Sequence, residues 1–434
     1  MVGMDAALWS RLPAEVLEQV LPFLPVRDVC RCSAVCKRWK LLISTPDFGT
    51  LCYRNSQALG RCYIISRYLV KPYDIEWSDK MNYYDTRRTT YEFGWSILDL
   101  ETKRWYTFKQ MERSFYYYNY PSSGFVAASG GFVCEVTSGE QVMYVHNPLS
   151  RSRRELINMS IPSHRTTNRY YGMTTLVVDE SAASYQIFFI HKNFRGYREP
   201  TPDSDDSNQD IEDDDCVVTC MNIYETTTLQ WRSATNPPLE PGLGVGSDGS
   251  SIMFQGRLYV VLSSYEHSHY WLFTYNITED EWEDTNVYLD PQRMAVSPQL
   301  IVSDNRLFIM SFEATEDAGR RLYVEEILLA ERVLSTMLQM TEEHVRLLFH
   351  FAEDVDDDDR NSSQSSEEND PEIEAFGFGK SIMLLSTENG ISTVYDLESR
   401  LWSEMPRHPM DPSSPRCELW YATTPITLRP PSTN

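Results

Sequence analysis

This 434-residue chain lacks several things, and each absence removes a class of function. It has no run of about eighteen apolar residues, so no transmembrane helix is expected. Its N-terminus, "MVGMDAALWSRLPAE", has no basic stretch leading into a long apolar one, so no secretory signal is expected either. No basic stripe offsets the net charge of −24, which makes nucleic acid a poor partner. There is no G-x-S-x-G elbow, P-loop or Rossmann glycine pattern, so no catalytic residue and no cofactor is assigned. Nine cysteines are present, an odd number. Without an export signal they are expected to be reduced, in the cytoplasm or nucleus. The Asn-x-Ser/Thr triplets at Asn158, Asn276 and Asn361 then read as chance matches.

The negative charge is concentrated. Asp203 to Asp215 holds eight acids and no base; Glu353 to Glu372 holds ten acids and one base, Arg360. These tracts carry −17 of the −24 and leave a nearly neutral remainder. They are too poor in apolar residues to build a core, so 199–215 and 353–372 are expected as disordered insertions.

What is there divides in two. From Pro13 to about Ser44 apolar residues recur at helical spacing. Val16, Leu17, Val20, Leu21 and Leu24 form one stripe; Val29, Cys32, Ser33 and Cys36 a second; Trp39, Leu42 and Ile43 a third. Pro25 and Pro46 punctuate them, which predicts three short helices, and Pro22 is expected to distort the last turn of the first. Cys30, Cys32 and Cys36 lack the second ligand pair a zinc site needs, so they read as small core residues and no metal is assigned. His267 and His269 share a strand face in a loop-like stretch with no acid partner, and read as surface.

After about residue 60 short β-branched and aromatic runs alternate with turn residues, as in "GRLYVVL" (256–262) and "NRLFIMSF" (305–312). A unit recurs: an apolar strand, a polar turn, then Trp six residues after an acid or Asn. It runs Asp99 to Trp105, Glu225 to Trp231, Asn276 to Trp282 and Asp396 to Trp402. Degenerate copies lie around Asn147 and about residue 331. With the acidic tracts removed the period is roughly fifty residues, the length of a four-stranded propeller blade. The Trp side chains are expected to pack between blades. The stretch "ERSFYYYNYPSSG" (112–124) should link one blade to the next, and Tyr116, Tyr117, Tyr118 and Tyr120 are candidates for contact with a bound target.

The strand–turn–Trp units with Gly130-Gly131 resemble kelch repeats, whose blades carry a double glycine after the second strand; "VLSS" (261–264) and "IMSF" (309–312) stand where others would be. The opening residues, Leu12-Pro13, the apolar helix, "LPVRDVCRCSAVCKRW" and "LLISTPDF", resemble the F-box, and "NPLSRSRREL" resembles the Asn-Pro-Leu pattern of plant F-box proteins with divergent kelch repeats. The resemblance implies a mainly β fold: a kelch-type propeller of about six four-stranded blades, preceded by a small three-helix F-box. The boundaries are 8–50 for the F-box, 51–94 for a linker leading into the propeller, and 95–428 for the propeller. It also implies a non-catalytic substrate receptor of a cullin-based ubiquitin ligase, with a Skp-type adaptor, through it a cullin and a RING protein, and an unidentified protein target as partners. Leu12, Pro13, Val16, Leu17 and Leu21, with Cys36 and Trp39 beside them, would face the adaptor. The module's net +2 would speed encounter with an acidic adaptor. The alternatives are a propeller enzyme or small-ligand sensor with a helical cap, which would show turnover or a ligand-dependent thermal shift without an adaptor, and, more weakly, a scaffold propeller.

Overall fold

The computed structural model describes residues 12–70, 92–110, 123–137, 142–147, 152–156, 172–179, 184–194, 217–239, 250–263, 269–294, 296–313, 321–341, 343–345, 373–386, 390–409 and 417–426. Both acidic tracts, Tyr116–Tyr120 and His267 lie outside them.

The recurring unit is a hairpin, and its letters have physical reasons. The side-chain oxygen of the leading residue folds back to accept two amides of the turn. Asp99 Oδ1 accepts from Glu101 and Thr102 at 3.0 and 3.2 Å, Asn276 Oδ1 from Thr278 and Glu279 at 3.0 and 3.4 Å, and Asp396 Oδ1 from Glu398 and Ser399 at 3.1 and 2.6 Å. A short carboxylate or amide suits this reach; the longer Glu225 of the Trp231 hairpin accepts Arg232 Nε at 3.2 Å instead. The return strand then places Trp105, Trp231, Trp282 and Trp402 opposite Leu98, Tyr224, Tyr275 and Tyr395. The three Tyr–Trp pairs have ring centroids 5.0–5.3 Å apart.

Four-stranded antiparallel sheets built from such hairpins make six blades. Blade 1 contains β1 (Tyr63–Val70), β2 (Glu92–Asp99) and β3 (Arg104–Gln110). Blade 2 is β4 (Ser123–Ser129), β5 (Phe132–Thr137), β6 (Val142–Asn147) and β7 (Ser152–Leu156). Blade 3 is β8 (Gly172–Asp179), β9 (Ser184–Phe194), β10 (Val217–Glu225) and β11 (Gln230–Ser233). Blade 4 is β12 (Ser250–Phe254), β13 (Arg257–Ser263), β14 (Tyr270–Asn276) and β15 (Glu281–Asp284). Blade 5 is β16 (Val296–Ser303), β17 (Arg306–Glu313), β18 (Arg321–Leu328) and β19 (Val333–Thr341). Blade 6 is β20 (Ile373–Phe378), β21 (Ser381–Ser386), β22 (Ser392–Asp396) and β23 (Trp402–Glu404). The last strand, β24 (Cys417–Ile426), returns to pair with β1 as the inner strand of blade 1 and closes the ring.

The core lies in the seams between blades. Alternation along a strand sends neighbouring side chains to opposite faces. On β9, Ile187 and Phe189 join Cys134 and Met143 of blade 2, while Phe188 and Ile190 join Leu258 and Val260 of blade 4. Both faces of a blade are therefore apolar, and each such buried side chain contributes about 1.5–3 kcal/mol. The indoles tie seams together: Trp282 Nε1 donates to Thr235 O, and Trp105 Nε1 to Pro406 O, each at 2.8 Å.

Three expectations are revised. The degenerate unit placed at about residue 331 turns at Leu328, and Leu334 takes the Trp position opposite Ile327. Gly130-Gly131 forms the tight turn from β4 to β5, the first turn of its blade. Its counterparts are Gln255-Gly256, Asp304-Asn305 and Gly379-Lys380, not the runs 261–264 and 309–312. These are two-residue hairpin turns that need positive φ, which Gly and Asn supply readily. A Cβ on Gly130 would meet Val178 at 2.8 Å, and one on Gly377 would meet Val302 O at 2.0 Å, where inner strands converge. The N-terminal module, finally, has four helices among its described residues: α1 (Ala14–Val20), α2 (Val26–Ser33), α3 (Lys37–Ile43) and α4 (Pro46–Ala58). A 3-10 turn at Leu21–Phe23 absorbs Pro22. Pro46 begins a helix rather than only ending one. Its missing N–H costs nothing in a first turn, and Thr45 Oγ1 accepts the Phe48 amide at 3.3 Å as the cap.

One polar strut between blades 3 and 4 is open to test. Asp280 takes the Tyr275 hydroxyl and, at Oδ1, the Thr235 amide at 3.1 Å, with Arg232 Nη1 at 3.9 Å. The Tyr275 hydrogen bond, foremost, holds the Asp280 carboxyl below its usual range; burial, foremost, pushes the Tyr275 hydroxyl up to about 12. A lowered carboxyl stabilises the fold above the unfolded value of about 3.9 and loses that contribution as pH falls through the folded value. Asp280→Asn keeps a residue suited to φ 57°. It is expected to cost about 1 kcal/mol at pH 7, since the group is partly solvated. Thermal melts from pH 7 to 3 should show the variant and the wild type converging at the acid end.

Candidate partner surface on the helical module

The helical module has its own small core. Leu17, Leu21, Val29, Trp39, Ile43, Phe48 and Cys52 are buried together, with Leu12, Leu24, Cys32 and Leu42 half-buried around them. Of the residues expected to face an adaptor, Leu17, Leu21 and Trp39 thus lie inside the module. Pro13, Val16 and Cys36 are exposed and Leu12 is half-buried. Cys36 does not share a helix face with Cys32. α2 ends at Ser33, and Cys36 is extended (φ −159°, ψ 165°) at the start of α3.

The exposed residues lie on α1, on α3 and at the corner between α2 and α3. Val16 and Val20 are one turn apart on α1, which puts them on the same face. Arg38 Nη2 of α3 donates to Leu12 O at 3.3 Å, which sets the Val35–Cys36 corner beside the start of α1. Leu41 lies one turn beyond Arg38. The apolar side chains here are well exposed: Val16 37%, Val20 39%, Val35 64% and Leu41 72%. Val20 belongs to the first apolar stripe without being singled out for the adaptor, and Val35 and Leu41 fall in none of the three stripes. Helical spacing selects a stripe but does not say which residues of the stripe the module keeps for itself.

The opposite side of the module is fixed to the propeller. Val26 and Cys30 of α2 pack with Tyr63, Trp95, Ile97 and Val133 of blades 1 and 2. Burial, foremost, pushes the Cys30 thiol up to about 11. The Val26 amide donates to the Tyr63 hydroxyl at 3.4 Å. Arg27 Nη1 donates to the Tyr106 hydroxyl at 3.2 Å, its guanidinium 4.5 Å from the ring centroid. Arg61 donates to Phe23 O at 2.6 Å and to Glu101 at 3.2 Å. A stacked, hydrogen-bonded arginine is a directional contact that lysine cannot copy.

Among the described residues no group of three or more His, Cys, Asp or Glu is placed to hold a metal, and no helix is long and apolar enough to cross a membrane. His269 stands exposed beside Trp271, ring centroids 5.9 Å apart.

Comparison with known proteins agrees with this geometry. Residues 9–48 match the F-box-like family. An F-box/kelch-repeat protein of Arabidopsis thaliana is 25% identical over 258 residues, 59% of this chain and 52% of its own length. F-box only protein 6 of the same plant is 27% identical over 191 residues, 43% of this chain and 34% of its own. The match therefore spans about half and about a third of these relatives. Among solved structures, a chain of the nidogen/laminin complex aligns with 83% of this chain and 98% of its own at 10% identity and a TM-score of 0.42, too low to carry an argument.

Core and surface predict opposite behaviour for neighbouring residues. Leu17→Ala should destabilise the module by about 2–5 kcal/mol, because it opens a cavity in a small core. Val16→Ala should stay within about 0.5 kcal/mol. Amide exchange across residues 14–43 of the full chain distinguishes the two.

Proposed function

We propose that this protein, an F-box-like module built onto a six-bladed propeller and similar to plant F-box/kelch-repeat proteins, is a substrate receptor of a Skp–cullin–F-box ubiquitin ligase. The observation that carries the reading is the exposed apolar surface to which Pro13, Val16, Val20, Val35, Cys36 and Leu41 contribute. The module's core is already filled by other residues and its far side is fixed to the propeller. A face of this kind, left in water on a small module, marks a protein contact. The adaptor of the ligase is the partner that the F-box resemblance supplies.

In this role the chain performs no bond-making step. The module docks the adaptor, and through it a cullin and a RING protein; the propeller holds a target. A lysine of that target is then kept near the ubiquitin-loaded conjugating enzyme, and the gain is one of effective concentration.

A purified Skp-type adaptor titrated into the full chain tests the proposal. Val16→Asp with Val35→Asp puts two carboxylates on the exposed face and leaves the buried cluster untouched. Binding is expected to weaken at least about a hundredfold with helix content unchanged. Unaltered binding by the double variant, or no binding by the wild type, would sink the idea.

A further inference from the structure

Five of the six seams are plugged in the same way. The outer-strand residue six places after the hairpin's leading residue enters the apolar cluster shared with the preceding blade. It is Trp105 between blades 6 and 1, Trp231 between 2 and 3, Trp282 between 3 and 4, Leu334 between 4 and 5, and Trp402 between 5 and 6. In blade 2 the corresponding register position, opposite His146, is Arg153. A charged residue does not suit an apolar seam. The seam between blades 1 and 2 instead contains Val26, 6% exposed, and half-buried Cys30, both from α2.

The location corresponds as well as the chemistry. The plugging side chains come from outer strands, near the tight turns. Helix α2 covers Tyr106 on the outer strand of blade 1, and its apolar side chains meet Ala128 and Val133, which pair across the Gly130-Gly131 turn. The helix therefore enters its seam at the same end of the blades as an indole does elsewhere.

We propose that α2 is the sixth plug of the propeller, so that the helical module is a structural part of the ring and the seam between blades 1 and 2 closes only when α2 is seated. This goes beyond the ligase reading and holds whether or not that reading does. It also makes the coupling reciprocal: whatever binds and orders the free face of the module favours the closed seam, and whatever tightens the seam favours the ordered module.

Hydrogen exchange of the full chain tests this seam by seam. Val26→Ala should speed exchange about tenfold or more in residues 63–66 and 127–135, while β13 and β17 keep their protection. The milder Cys30→Ser should act in the same direction. Val35→Ala, on the exposed corner of the same module, should leave all strands unchanged. Arg153→Trp combined with Val26→Ala should restore protection to 127–135. Two results would overturn the proposal: Val26→Ala loosening residues 14–58 while the strands of blades 1 and 2 stay at the wild-type rate, or Arg153→Trp giving no recovery in the Val26→Ala background.

Discussion

A sheet that is apolar on both faces cannot stand alone in water, and every other feature of this molecule follows from that constraint. Each blade needs two neighbours, so the smallest self-consistent object is a closed ring. Closure is achieved by β24, which pairs with β1 from Tyr63↔Ile426 to Val70↔Cys417. Blade 1 is thus assembled from both ends of the chain, and it is also the blade on which the helical module sits.

The antiparallel order of strands sorts the connections onto two ends of the ring. Tight turns such as Gly130-Gly131 and the Asp99 hairpin leave one end; the blade-to-blade links and the links between second and third strands leave the other. The chain enters β1 at the tight-turn end, and Arg61 and Arg27 fasten the helices there. In sequence the acidic tracts fall between β9 and β10 and between β19 and β20, and the tyrosine stretch between β3 and β4; the strand ends that flank them are at the opposite end. Strands of eight residues set these ends about 25 Å apart.

Much of this was legible in the sequence, for reasons the structure makes plain. Asp99, Asn276 and Asp396 were readable because an Asx turn accepts few residue types, and the Trp six places on because a large ring suits a seam. Blade 5 was misplaced because Leu328 and Leu334 hold the same positions with ordinary apolar letters, and a leucine among leucines gives no register. Helix α4 is hard to read because Pro46 signals a stop as readily as a start, and Thr45 before it, the cap, decides between them. In the helical module periodicity found Leu17 and Val16 alike; only packing separated the first, 1% exposed, from the second at 37%. The seating of α2 had no sequence signal beyond Arg153 standing where an aromatic was due, six places after Asn147.

The late arrival of β24 sets an order of assembly. The helices and β1 leave the ribosome before the other blades, but the strand that completes their blade follows some 350 residues later. At usual synthesis rates that is roughly 20–70 s during which the inner edge of β1 has no partner. Blades 2 to 6 can stack in sequence as they emerge, while the blade that carries the helical module waits for β24. The nascent chain therefore carries an unpaired sheet edge close in sequence to an exposed apolar helix face, and the arrival of β24 covers the edge while leaving the face open.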